Sequence, residues 1–232
     1  MELADYRKSE AFSNPYVIKC TLLGHHGVGK STLGHMFATG RFDPTIESTI
    51  GIDFFTKTIE LDNSKNQSIK LQIWDTAGQE KFKSIVKSYL RDVYITFIIF
   101  DITNRETWND IDSWRNDLEL ENRKYGSIPR IVLVGSKSDK KNHVIREDEI
   151  KTKADKWGCN YYILSSKQYN SASMISRMFF LETEYLHRDI VYDYINKKEI
   201  PFGILKKDNK KRNIMYYDET DNNYKTNWCC FQ

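Results

Sequence analysis

Val17-Ile18-Lys19-Cys20-Thr21-Leu22-Leu23 runs directly into Gly24-His25-His26-Gly27-Val28-Gly29-Lys30-Ser31-Thr32, and this junction decides the fold. The first run is apolar and reads as a strand, whereas Leu33, Met36 and Phe37 recur at helical spacing. Between them, residues 24–31 fit G-x-x-x-x-G-K-[ST], a loop whose glycines let backbone N–H groups wrap a chain of phosphates. In that pattern Gly27, Val28 and Gly29 form the cradle and Lys30 sets a point charge against the β- and γ-phosphates. Ser31 offers a hydroxyl to Mg²⁺, with Thr32 beside it in the first helical turn. A strand before the loop and a helix after it are the context the motif requires. The loop alone does not separate a GTPase from an ATPase or a nucleotide kinase.

Outward from the loop, strand-like runs at Phe54–Leu61, Ile69–Trp74, Val93–Phe100, Ile131–Val134 and Tyr161–Leu164 alternate with helix-like stretches. Trp108, Ile111, Trp114 and Leu118 share one helical face, as do Ile150, Ala154 and Trp157. The polar link 62–67 is too short for a crossover helix, so the strands it joins pair antiparallel. The expected fold is α/β: a mainly parallel six-stranded sheet with one antiparallel edge strand, helices on both faces, and ligands at the carboxyl ends of the strands.

The chain has 232 residues, 40% of them apolar and 29% charged, which suits one α/β domain with an appendage. The domain is placed at 15–190, after a flexible extension over 1–14. From about Ile190 the apolar period decays into charge clusters, so 191–232 reads as a flexible tail. A net charge of +3 is too small a bias for a nucleic-acid backbone to be the main ligand. Cys20 and Cys159 are isolated and Cys229-Cys230 adjacent, with no metal-ligand spacing, which suits a reducing compartment. The N-terminus lacks the apolar core of a signal peptide, and no run approaches the ~20 residues of a membrane span.

Directly after the third strand run stands Asp75-Thr76-Ala77-Gly78-Gln79-Glu80, which resembles the DTAGQE signature of Ras-like GTPases. Lys70-Leu71-Gln72-Ile73-Trp74, Ser48-Thr49-Ile50-Gly51-Ile52-Asp53-Phe54 and Phe100-Asp101-Ile102-Thr103 are similar to the Rab branch. The resemblance covers roughly residues 16–190 and implies a Ras-like G domain that binds GTP or GDP with Mg²⁺. Asp75, a carboxylate at the end of an apolar strand, needs a cationic partner, and across the loop that partner is Mg²⁺. By resemblance Thr49 ligates the same ion through its hydroxyl, and Thr49 and Gly78 give backbone N–H groups to the γ-phosphate. The switch segments are then about 42–50 and 76–90, released when that phosphate leaves. Gln79 is the expected catalytic residue, orienting the attacking water while Lys30 holds the phosphates. Turnover is expected to be slow until an activating protein supplies an arginine.

Guanine recognition in that family uses Asn-Lys-x-Asp, and this chain has Ser136-Lys137-Ser138-Asp139. Asp139 accepts two hydrogen bonds from groups that adenine does not present, and the stem of Lys137 covers the base. Ser136 reads as too short to replace the lost amide's bonds to the base and the phosphate loop. One or two missing bonds predict affinity lower by roughly three- to a hundredfold and faster exchange. Ser165-Ser166-Lys167 resembles the family's SAK loop, whose backbone meets the guanine carbonyl. Phe42 fits either an edge contact with the base or ordinary core packing, and Phe54, Trp74 and Tyr89 fit both packing and effector contact. His26 stands where Ras proper has glycine, and an imidazole there would crowd Gln79 and an incoming arginine. A GTP-holding, hydrolysis-impaired membrane-recruitment module is therefore the rival to a turning-over switch.

Cys229-Cys230-Phe231-Gln232 resembles both a C-a-a-X box and the double-cysteine ending of Rab proteins. Two lipids anchor stably where one does not, so prenylation of both cysteines is expected. Lys206, Lys207, Lys210, Lys211 and Arg212 either add attraction to anionic lipid or keep the tail soluble. The resemblance implies a monomer on the cytoplasmic face of an intracellular membrane with a cytosolic pool, in vesicle traffic. Its implied partners are an exchange factor, a GTPase-activating protein, effectors and a GDI- or escort-type prenyl-binding chaperone, with no nucleic acid.

Overall fold

The computed structural model describes residues 16–62, 67–78, 83–123 and 129–197, and the expectations for 1–15, Gln79, the basic cluster 206–212, Cys229 and Cys230 lie outside them. Within these residues β1 (Tyr16–Leu23), β2 (Ile52–Asp62), β3 (Gln67–Thr76), β4 (Ile95–Asp101), β5 (Arg130–Ser136) and β6 (Asn160–Ile163) form one sheet, in the order β2-β3-β1-β4-β5-β6. The short link between β2 and β3 leaves only the antiparallel pairing, which runs from Ile52↔Thr76 to Asp62↔Gln67; the other pairs are parallel. The antiparallel strand is at the edge, as the sequence predicts. β4 and β5 are buried along their whole length because helices cover both faces, which is why they read as unbroken apolar runs.

Helices α1 (Lys30–Thr39) and α6 (Ser171–Lys197) cover one face through Leu33, Met36, Phe37, Ile175, Met178 and Phe179. The other face takes α2 (Lys83–Tyr89), α3 (Arg105–Asn109), α4 (Ile111–Arg123) and α5 (Glu147–Trp157) through Val86, Trp108, Trp114, Leu118, Ile150 and Ala154. The apolar stripe from Trp108 to Leu118 spans two helices: α3 is capped by the Asn104 side chain, and the chain turns at Asp110 before α4. α6 continues to Lys197, past residue 190, where the apolar period of the sequence decays. Among the described residues no helix is long and apolar enough to cross a membrane.

Burial pushes the His187 imidazole on α6 down to about 4; the Glu184 charge opposes this and Arg188 adds to it. Folding therefore favours the neutral ring. The contribution is complete above the unfolded value of 6.5 and is lost as pH falls from there through about 4, because the unfolded chain takes up the proton first. At ~1.4 kcal/mol per unit, and less because the ring is only partly buried, acidification should remove about 2 kcal/mol. Urea unfolding at pH 7, 5.5 and 4.5 should show this slope in the parent and a flatter one in His187→Gln. Equal slopes would refute the assignment.

Candidate nucleotide and magnesium site

The phosphate loop sits at the carboxyl end of β1 and turns through positive φ at Gly24, Gly27 and Gly29. A Cβ on Gly24 would lie 2.1 Å from the carbonyl oxygen of Ile99 in β4, so only glycine lets the loop leave the strand there. α1 begins without a side-chain cap, which leaves its first-turn N–H groups facing the loop as donors for an anion. Val28 is fully buried, and Thr32 lies partly buried on the first turn of α1. Lys30 is 5% exposed and donates to the carbonyl oxygens of Gly24 (3.0 Å) and His25 (2.9 Å). Burial pushes its ammonium down to about 8, against the attraction of Asp75.

The three expected metal ligands meet. The Ser31 hydroxyl is 2.6 Å from that of Thr49, and the Thr49 hydroxyl donates to Asp75 Oδ2 at 3.0 Å. Asp75 is fully buried and its Oδ1 has no hydrogen-bond partner. Burial pushes its carboxyl above the usual carboxylate range, despite the bonds from Ser31 and Thr49 and the charge of Lys30. Two hydroxyls and one carboxylate with an idle buried oxygen suit a hard, oxygen-seeking cation such as Mg²⁺, which keeps its other positions for phosphate and water. Among the described residues no cluster of three or more His, Cys, Asp or Glu offers an alternative metal site. The segment after β3 lies hard against the loop: a Cβ on Gly78 would be 2.5 Å from both the His26 backbone nitrogen and Lys30 Nζ. The Ala77 N–H donates to the Gly51 carbonyl at 2.8 Å, which ties the second expected switch segment to the residue that follows the first.

On the base side, Lys137 Nζ donates to the Gly27 carbonyl oxygen at 2.7 Å and pairs with Asp101 at 2.7 Å. Asp139 is exposed and accepts from the Ser165 hydroxyl at 2.6 Å, while the Lys167 N–H donates to Ser165 Oγ at 3.0 Å. Ser166 lies between them, so the two expected base-binding loops are contiguous. Ser136 corrects the sequence reading in part. Its Oγ lies 2.7 Å from the Val28 carbonyl oxygen and 2.9 Å from that of Phe100, and its single proton serves one at a time. The tie to the phosphate loop therefore survives the replacement of asparagine, and the predicted affinity loss shrinks to the contact with the base. The end of β5 comes close enough to the loop for a short side chain to span the gap.

Phe42 is 38% exposed, which removes core packing as its role. Phe54 and Tyr89 both pack on Trp74, with ring centroids 4.9 and 5.1 Å away, and Phe54 is 43% exposed; the three rings form a packed cluster with an open side. Nothing in the sequence motifs assigns Asp101 a role. The signal that marked Asp75, a carboxylate ending an apolar strand, applies equally to it.

A glycine-rich loop between β1 and α1, a hydroxyl–carboxylate metal pocket and a base loop after β5 define a P-loop nucleotide-binding domain of the Ras-like kind. The Ras family model matches residues 19–184. "Ras-related protein Rab-39A" of Homo sapiens is 37% identical over 191 residues, covering 80% of this chain and 82% of that protein. "Ras-related protein Rab-27A" of Sus scrofa is 32% identical over 200 residues, covering 82% and 87%. "Ras-related protein Rab-18" of Lymnaea stagnalis is 39% identical over 132 residues, covering 57% of this chain and 63% of its own length, just under two thirds. The chain belongs to the Rab family of the Ras superfamily, and is thereby a GTP-hydrolysing small GTPase that acts as a GTP/GDP switch.

Proposed function

We propose that this chain holds GTP or GDP with Mg²⁺ in the loop of residues 24–31, and in its GTP form recruits effectors to the cytoplasmic face of an intracellular membrane in vesicle traffic. The observation that carries this reading is the buried Asp75 carboxylate with one idle oxygen, reached by the hydroxyls of Ser31 and Thr49. When bound, Mg²⁺ supplies charge neutralisation to the phosphates. Lys30 and the N–H groups of Gly27, Val28 and Gly29 hold the phosphates, with Thr32 at the helix start. Gly78 is held against the loop, so its N–H and that of Thr49 sense the terminal phosphate. Asp139, Lys137, Ser165, Ser166, Lys167 and Phe42 hold the base, and Gln79 orients the attacking water. Prenyl groups on Cys229 and Cys230 anchor the chain, and a prenyl-binding chaperone of the GDI or escort type maintains the cytosolic pool. An exchange factor and a GTPase-activating protein set the cycle.

One observation favours the second reading. The exposed His26 stands at the mouth of the phosphate loop, with its backbone nitrogen against the segment that leads to Gln79. Such a chain would hold GTP and scarcely hydrolyse it. The test of the main reading is the nucleotide that copurifies with the full chain and its rate of release. Guanine nucleotide released about tenfold faster or more on chelation of Mg²⁺ is the expected result. Adenine nucleotide, or release indifferent to chelation, would refute the reading. Single-turnover hydrolysis of GTP by the parent and by His26→Gly separates a slow switch from a stalled one.

A further inference from the structure

We propose that Asp101 is a positioning residue for nucleotide binding: its carboxylate, at the end of β4, holds the Lys137 ammonium where the lysine covers the base and ties down the phosphate loop. The inference rests on the guanine-nucleotide reading above and adds to it a residue outside the loops that hold the nucleotide. The two oxygens of Asp101 divide their work. Oδ1 accepts from the backbone N–H of Thr103 (2.9 Å) and from its hydroxyl (2.7 Å), which fixes the orientation of the carboxylate. Oδ2 is left to pair with Lys137 Nζ at 2.7 Å, and the same ammonium donates to the Gly27 carbonyl oxygen at 2.7 Å. Lys137 is thus pinned at its far end between the sheet and the phosphate loop, with its stem stretched between them.

A lysine needs such a pin. Its four-carbon stem is flexible and its ammonium prefers water, so one carbonyl oxygen on an exposed loop would hold it weakly. The Lys137 backbone is also in the left-handed region, at φ 64°, which a non-glycine residue adopts only when its surroundings hold it there. The neighbouring backbone is secured without the carboxylate: the Asp101 N–H donates to the Thr107 hydroxyl oxygen at 3.0 Å, and Asp101 lies opposite Ser136 in the β4–β5 ladder. Burial works against the charged form of Asp101, but the bonds from Lys137 and Thr103 outweigh it and leave the carboxyl below the usual range. The charged oxygen facing Lys137 is therefore dispensable for the strand and specific to the lysine.

The experiment is release of N-methylanthraniloyl-GDP from the full chain, for the parent, Asp101→Asn, Lys137→Met and the double variant. Asparagine keeps the acceptor for Thr103 and loses the charge that faces Lys137. Release should quicken about tenfold in Asp101→Asn and at least as much in Lys137→Met, with the double variant no faster than Lys137→Met. Thr103→Val, which loosens the carboxylate without removing it, should give a smaller acceleration that vanishes in the Lys137→Met background. Release at the parental rate from Asp101→Asn overturns the inference. So does equal acceleration by Asp101→Asn with and without Lys137, the result of a purely structural role. If Asp101→Asn does not fold, the Thr103→Val pair decides by the same criterion. A parent that takes up no labelled GDP overturns the nucleotide reading and this one with it, whereas a parent that loads normally confines any failure to Asp101.

Discussion

Replacing Lys30 by methionine should lower affinity for GDP by roughly 10²–10⁴-fold while leaving the nucleotide-free domain as stable as the parent, or slightly more so. The ammonium is 5% exposed, and two of its three donors go to the carbonyl oxygens of Gly24 and His25. The third remains for a phosphate oxygen, and each charge-assisted bond of this kind contributes about 1.5–3 kcal/mol. In the absence of phosphate the same burial penalises the charge, which is why the ammonium is pushed down to about 8. Methionine keeps the stem packed and removes that penalty, so binding and folding should move in opposite directions. Titration calorimetry with GDP and urea unfolding of the nucleotide-free protein read the two separately. An affinity within tenfold of the parent would show that the backbone cradle suffices without Lys30.

That division is partly legible in the sequence, because the motif at 24–31 names its own chemistry. The strands were visible too. A strand buried on both faces, such as β4, has to be apolar without interruption, and its ends are then read within two residues. What the sequence conceals is distance across the fold. By length alone Ser136 falls short of an asparagine, yet β5 ends close enough to the phosphate loop for its hydroxyl to reach the Val28 carbonyl oxygen. Asp101 carried the same signature as Asp75 but had no partner that could be named, since Lys137 reaches it only through the parallel pairing of β4 and β5. The extent of α6 is hidden for another reason. Once formed, a helix extends by one hydrogen bond for each residue added and needs no apolar period to continue, so the fading pattern after Ile190 did not mark its end.

Glu182→Ala should destabilise the domain by about 3–5 kcal/mol, a loss that comes from Arg130 more than from Glu182 itself. Glu182 is fully buried on α6, where Oε2 accepts from Arg130 Nε at 2.6 Å and Oε1 accepts from Asn160 Nδ2 and the Tyr162 hydroxyl, each at 2.7 Å. Arg130 opens β5 and is 5% exposed, so removing the carboxylate leaves its buried guanidinium with only the half-exposed Asp189 at 3.6 Å, beside two polar groups that lose their acceptor. A drop in the unfolding midpoint of about 2–4 °C per kcal/mol follows for a domain of this size. Replacing both charges, as in Arg130→Leu with Glu182→Leu, should recover part of the loss, because the stranded charge disappears while Asn160 and Tyr162 remain without their acceptor. Urea unfolding of the two single variants and the double variant tests this. A double variant as unstable as the sum of the singles would mean that the pair contributes by packing alone. The consequence extends to the nucleotide site. α6 begins beside the base loop, where the Ser171 hydroxyl donates to the Ser165 carbonyl oxygen, and it leads away toward the C-terminal tail. The Arg130–Glu182 pair seats this helix against the sheet, so unseating it should also quicken GDP release from a site that neither residue touches.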